Sequence, residues 1–97
     1  MMAMIRAEIV FRGHVQGVGF RYTATRIAER IDVCGWVRNE TDGTVRLVVE
    51  ASRELVDRLL ESIDEELPGH IHARECVISA ASGEFSGFRI IGAGSHR

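Results

Sequence analysis

The chain has 97 residues, 45% of them hydrophobic and 27% charged, the make-up of one soluble domain able to bury a single core. Its net charge of −2 argues against a large polyanionic partner such as nucleic acid, and no apolar run is long enough to span a membrane. All 12 basic side chains are arginine, which excludes Schiff-base chemistry and lysine-dependent phosphate loops.

The amino-terminal stretch MMAMIRAEIVF carries Arg6 and Glu8 where a signal peptide needs an unbroken apolar segment, so a cytoplasmic location is expected. Ile5 to Arg12 alternates. Ala7, Ile9 and Phe11 fall on one face and Arg6, Glu8 and Arg12 on the other, the pattern of a half-buried strand. The glycine-rich stretch GHVQGVGFR, residues 13–21, ends that strand. From Phe20 the period changes: Phe20, Ala24, Ile27, Ala28 and Ile31 form the stripe of an amphipathic helix.

VCGWVRN (33–39) reads as a second strand, ETDG (40–43) as a turn, and TVRLVVEA (44–51) as a third strand with Val45, Leu47 and Val49 inward. Ser52 caps a second helix whose stripe is Leu55, Val56, Leu59, Leu60 and Ile63, and LPG (67–69) stops it. IHARECVISA (71–80) is a fourth strand. After the loop SGEFSG, FRII (88–91) is expected to add a short edge strand, and the terminal GAGSHR is expected to be mobile. Cys34 and Cys76 lie outside any CxxC and are expected as buried, free thiols.

The order β-α-β-β-α-β, with a short fifth strand, predicts a single α+β domain over 1–97. The architecture is a ferredoxin-like sandwich: an antiparallel sheet of four to five strands with two helices on one face. In that arrangement the strands lie in the order four, one, three, two. The carboxyl ends of strands one and two then share one edge of the sheet. Loop 13–20, the amino end of the first helix and Asn39 meet there.

Glycines at 13, 17 and 19 allow a tight turn whose N–H groups converge into a nest for an anion, and the loop runs straight into a helix amino terminus. Arg21 in the first helical turn opposes the helix dipole, a poor placement for stability and a good one for a bidentate phosphate clamp. A plain glycine turn with a surface arginine satisfies the same spacing.

GHVQGVGFR also matches, at every specified position, the glycine-x-valine-glutamine-glycine-valine-x-phenylalanine-arginine signature of the acylphosphatase family. The second signature follows as GWVRNETDGTV from Gly35 to Val45, and GEFSGFRI resembles the family's closing segment. Two departures are visible: Ala51 stands where the second signature ends in glycine, and Phe11 where an aliphatic residue is more common. Neither is expected to affect chemistry.

The resemblance implies hydrolysis of the carboxyl-phosphate bond of small acyl phosphates, with no cofactor and no metal. It makes Arg21 the catalytic, phosphate-binding arginine and Asn39 the residue that holds the attacking water. It makes the backbone of Gln16, Gly17, Val18, Gly19, Phe20 and Arg21 the loop that binds phosphate, or inorganic phosphate and similar anions. A monomer is expected. Neither cysteine stands six residues before an arginine, so thiol-phosphatase chemistry is excluded. His70 and His72 read as a solvated loop end, Trp36 as a packed edge-strand aromatic, and Glu61, Asp64, Glu65 and Glu66 as a solvated helix face. His14 either adds charge to the loop or faces solvent. Two other classes share this element order. An RNA-binding module lacks its aromatics on strand three. A non-catalytic or carbamoyl-phosphate-directed acylphosphatase-like domain, such as those that open larger carbamoyltransferases, is the other alternative to a stand-alone hydrolase.

Overall fold

In the computed structural model, which describes residues 3–92, the alternating first segment forms strand β1, Met4–Gly13. Ala7, Ile9 and Phe11 point into the core and are fully buried. Helix α1, Phe20–Ile31, follows the glycine-rich loop and buries Phe20, Ala24, Ile27 and Ala28, while Ile31 is only partly covered. Strands β2 (Cys34–Asn39) and β3 (Val45–Ser52) form the hairpin. Helix α2, Arg53–Glu66, starts at Ser52, whose hydroxyl accepts the Leu55 N–H, and buries Val56, Leu59, Leu60 and Ile63. Strand β4 is Ile71–Ala80 and β5 is Phe88–Ile90.

The sheet order is β4-β1-β3-β2-β5. The expected antiparallel sheet holds for four strands, but β5 joins β2 in parallel, so the sheet is mixed. The reason is where β4 ends. Ala80 pairs with Ile5, at the edge of the sheet where β1 and β2 begin. The chain crosses that edge through residues 81–87 and enters β5 from the same end as β2. Trp36 therefore lies one strand in from the edge, half-buried, with the Arg38 guanidinium 4.9 Å from its ring centroid.

The core lies between the sheet and the two helices. Side chains such as Phe11, Phe20, Ile9, Leu47 and Leu59 fill it, each contributing roughly 1.5–3 kcal/mol by burial. Phe11 packs on Phe20 with centroids 4.8 Å apart, tying β1 to the first turn of α1. That contact anchors both ends of the loop between them.

The helix-free face carries one buried carboxylate. Glu50 is 2% exposed and is held by the crossing segment. It accepts hydrogen bonds from Ser82 N (2.8 Å), Ser82 Oγ (2.9 Å), Gly83 N (2.9 Å) and Arg6 (3.3 Å). Burial alone would raise its pKa, but these donors together hold it below the ordinary carboxylate range.

Both cysteines are free. The expectation that they are buried fails for Cys76, which is exposed because no helix layer covers edge strand β4; Cys34 is half-buried. Strands β1 and β3 separate β2 from β4. Three strand spacings amount to about 14 Å, too far for a disulfide.

Candidate active site

A cavity of about 220 Å³ opens at the edge of the sheet where β1 and β2 end. Val15, Gly17, Gly19, Phe20, Arg21, Tyr22, Asn39 and Ile90 line it. It therefore brings Asn39 together with four of the six expected loop residues, Gly17, Gly19, Phe20 and Arg21. Gln16 and Val18 do not line it.

Gly17 and Gly19 take φ of 78° and 79°, left-handed values that strain any other residue. A Cβ at either would meet nothing within 4 Å, so the glycines serve the backbone turn rather than close packing. Gly19 is the N-cap of α1, and no side chain caps the helix. The first helical bond runs from Thr23 N to Gly19 O at 2.9 Å. The N–H groups ahead of it are left for another acceptor. With no acidic residue in the first turn, the positive end of the helix dipole is unopposed by charge.

Arg21 sits in that turn, half-buried. Arg6, Arg12, Arg26, Arg30, Arg38, Arg46, Arg53 and Arg74 all pair with carboxylates. Among the described residues Arg21 makes no ion pair; the same holds for the exposed Arg58 and Arg89, but of the three only Arg21 lines the cavity. Asn39 presents the complementary feature. Its Oδ1 is the one buried side-chain polar atom without a hydrogen-bond partner among the described residues. A free cation, unpaired N–H groups and an orphaned acceptor thus share one concavity.

Gln16 plays a part that its place in a glycine-rich loop concealed. Its side-chain amide donates to Glu40 O (2.8 Å) and Thr44 O (2.9 Å), clamping the loop to the β2–β3 turn. That turn is braced in its own right. Asp42 Oδ1 accepts from Thr44 N and Oγ1, and Glu40 Oε2 accepts from Arg38 and Arg46 at 2.9 and 2.8 Å. Burial pushes the Glu40 carboxyl up, but the two guanidinium bonds outweigh it and hold its pKa below the ordinary value. Asn39, between Arg38 and Glu40 in sequence, is held by this frame. The signal in the sequence was the glutamine itself, an amide with donors to spare between two glycines.

His14 does not face the cavity. Its backbone N–H donates to His70 O at 2.9 Å, and the two imidazoles meet edge to face at 5.5 Å. His72 is exposed, and no cluster of three metal-ligating side chains exists among the described residues. The acidic face of α2 is exposed as expected, yet Glu66 pairs with Arg26 and Asp64 with Arg74. A larger cavity of about 390 Å³ lies between the end of α2 and β4. It contains none of the loop, and the ion pair with Asp64 already occupies the Arg74 guanidinium lining it.

The family model for acylphosphatase matches residues 7–90. The chain belongs to the acylphosphatase family. An acylphosphatase of Salinibacter ruber is 43% identical over 86 residues, which cover 88% of this chain and 90% of that one. An acylphosphatase of Paenarthrobacter aurescens is 44% identical over 88 residues, 90% and 94% of the two chains. The crystal structure of the Bacillus subtilis acylphosphatase superposes with a TM-score of 0.83 at 27% identity, covering 90% of this chain and 98% of that one. Full-length HypF, in a phosphate- and nucleotide-bound form, matches with a TM-score of 0.84 at 25% identity, over 96% of this chain and 12% of its own. The two-helix, five-stranded sandwich is thus the acylphosphatase fold, and the chain is an enzyme of that family. No helix among the described residues is long and apolar enough to cross a membrane.

Proposed function

We propose that the cavity hydrolyses small acyl phosphates to a carboxylate and inorganic phosphate, with Arg21 and Asn39 in separate roles. The observation that carries this reading is the pairing of one unpartnered guanidinium with one orphaned amide oxygen across a loop of free N–H groups. The N–H groups of residues 16–21 and the Arg21 guanidinium receive the phosphoryl oxygens. Phosphoryl transfer asks mainly for position and charge stabilisation, and these donors supply both. Asn39 Oδ1 accepts a hydrogen bond from a water and aims its oxygen at phosphorus. A neutral amide orients that water but takes no proton from it. As the water oxygen bonds to phosphorus, the P–O bond to the acyl group breaks and its electron pair leaves with the carboxylate. The water's proton passes to an oxygen of the substrate's own phosphate. A carboxylate departs without protonation at neutral pH, so no strong general acid is required.

Family relatives at 43% and 44% identity over nearly their whole length favour this hydrolase over a domain directed at carbamoyl phosphate. The test is acyl-phosphate hydrolysis with EDTA present, run on acetyl and carbamoyl phosphate in parallel. Wild type is expected to turn over acetyl phosphate undiminished by the chelator. Arg21→Ala is expected to lose roughly 10³-fold or more in kcat/KM, the scale of an arginine that stabilises phosphoryl transfer. An Arg21→Ala enzyme within threefold of wild type would remove Arg21 from the clamp.

A further inference from the structure

The loop is held at three successive residues. Val15 is buried in the core, and Gln16 is clamped to the β2–β3 turn. The third holding point is His14, gripped by His70, the residue before β4. We infer that His70 is a positioning residue for the reaction: its imidazole fixes the His14 carbonyl, and through it the arm by which the chain enters the loop. The inference rests on the proposed role of the loop in holding phosphate.

The grip has two parts. The His14 N–H donates to His70 O at 2.9 Å, and the His14 carbonyl oxygen lies 3.2 Å from Nδ1 of the His70 imidazole. A carbonyl oxygen can only accept, so Nδ1 is the ring nitrogen that donates the proton. His70 thus serves both backbone groups of one residue, as a paired strand residue does with its own carbonyl and N–H. The His70 N–H is taken already, because it donates to Leu67 O at 3.2 Å, at the end of α2. The imidazole stands in for it. The ring also packs edge to face against the His14 ring.

The backbone is shaped for this contact. The β1–β4 register shifts at the end of β1, so that Arg12 pairs with Ala73 and Gly13 with Ile71. Gly13 takes a φ of 130°, and a Cβ there would lie 2.5 Å from His70 O and 2.8 Å from His72 N. Only glycine permits so close an approach, and the approach brings His14 within reach of His70.

The gain is preorganisation. Gly13, Gly17 and Gly19 all have positive φ, so the loop regains wide backbone freedom when an anchor is lost. Its N–H groups act on phosphoryl oxygens together only while their directions converge, and donors fixed beforehand are the effective ones. His70 is absent from the walls of the cavity. Its effect passes through His14 and Val15 to Gln16, where the expected phosphate donors begin.

The experiment measures phosphate affinity by titration calorimetry, and kcat/KM for acetyl phosphate, in wild type, His70→Phe and His70→Asn. Phenylalanine keeps a ring beside His14 and removes the donor. Asparagine places an amide N–H near the position of Nδ1. His70→Phe is expected to weaken phosphate binding about three- to tenfold, the scale of one neutral hydrogen bond, and to lower kcat/KM at least as much. His70→Asn is expected to return to within about twofold of wild type on both measures. Nitrogen-15 NMR of the wild-type imidazoles at about pH 9 is expected to show His70 neutral with its proton on Nδ1, where an imidazole free in solution favours Nε2. Phosphate affinity unchanged in His70→Phe, an equal loss in both variants, or a His70 proton on Nε2 would each overturn the positioning role and leave the hydrolase intact. The calorimetric and NMR readings need no turnover, so a wild type that binds phosphate yet is inert toward acetyl phosphate would overturn the proposed hydrolysis alone. A wild type that binds no phosphate would overturn both.

Discussion

Asn39 Oδ1 is buried without a partner, and such an acceptor ordinarily costs a fold roughly 1–3 kcal/mol. Gln16, by contrast, has its amide donors fully used by Glu40 O and Thr44 O. One amide is spent on holding the loop to the hairpin, while the other is held open. Asn39→Ala should therefore separate activity from stability. It is expected to lower kcat by roughly 10²–10³, the scale of one lost orienting contact. It is also expected to leave stability unchanged or raised by up to about 1 kcal/mol, because an unsatisfied group disappears. Urea denaturation beside the acyl-phosphate assay checks this. A variant that keeps its kcat and loses stability would make Asn39 a structural residue.

Among the elements, β5 is the one whose position has to be imposed. It is three residues long, too short to hold its place by pairing alone. The segment before it is fastened to Glu50 by two N–H groups and a hydroxyl, with Arg6 as counter-ion. Glu84, on the same segment, also pairs with Arg6, and the Cys34 thiol lies against Glu50 O at 3.6 Å. Glu50 is held ionised below its ordinary range. Its contribution is therefore present above the unfolded carboxylate pKa and is lost as pH falls through the folded one. Glu50→Gln keeps the shape and removes the charge. At pH 7 it is expected to cost about 1–3 kcal/mol, the value of hydrogen bonds to a charged acceptor. Glu40, Asp42 and Glu66 are also depressed and titrate in both proteins alike. The gap between variant and wild type isolates Glu50; it should begin to narrow as pH falls below the unfolded carboxylate pKa of about 4.3 and go on narrowing through the depressed folded one. A gap that stays constant from pH 7 to pH 3 would contradict the latch.

For the whole molecule, a site that grips phosphate must stabilise the fold by mass action. Inorganic phosphate at about 100 times its dissociation constant should add roughly 2.7 kcal/mol. In a domain of this size that raises Tm by roughly 10–20 °C. Thermal unfolding across a phosphate series at constant ionic strength measures the shift. Arg21→Ala should abolish most of it. An equal rise in the variant would show that phosphate binds away from the candidate site.

The elements and most of their buried stripes were legible in the sequence because period-2 and period-3.6 patterns dictate which face each segment must hide, and the order of the first four strands followed from the element order, which matches the ferredoxin-like arrangement. The turn of the loop was legible because left-handed positions at 17 and 19 demand glycine, but a plain turn fits that spacing equally well, and it was the match of GHVQGVGFR to the acylphosphatase signature that pointed to a phosphate site. Tertiary structure alone decided the parallel course of β5, since that depends on where β4 ends rather than on any residue in FRI. It alone decided that Glu50, a polar position in an ordinary alternating strand, is buried, because residues 32 places further along the chain supply its donors. It turned Gln16 from a loop residue into a clamp, and it exposed Cys76 by leaving β4 uncovered. Local chemistry dictates what a segment is. Which groups far apart in the chain satisfy each other is settled only when the sheet closes, and Asn39 Oδ1 is where it leaves one acceptor unsatisfied.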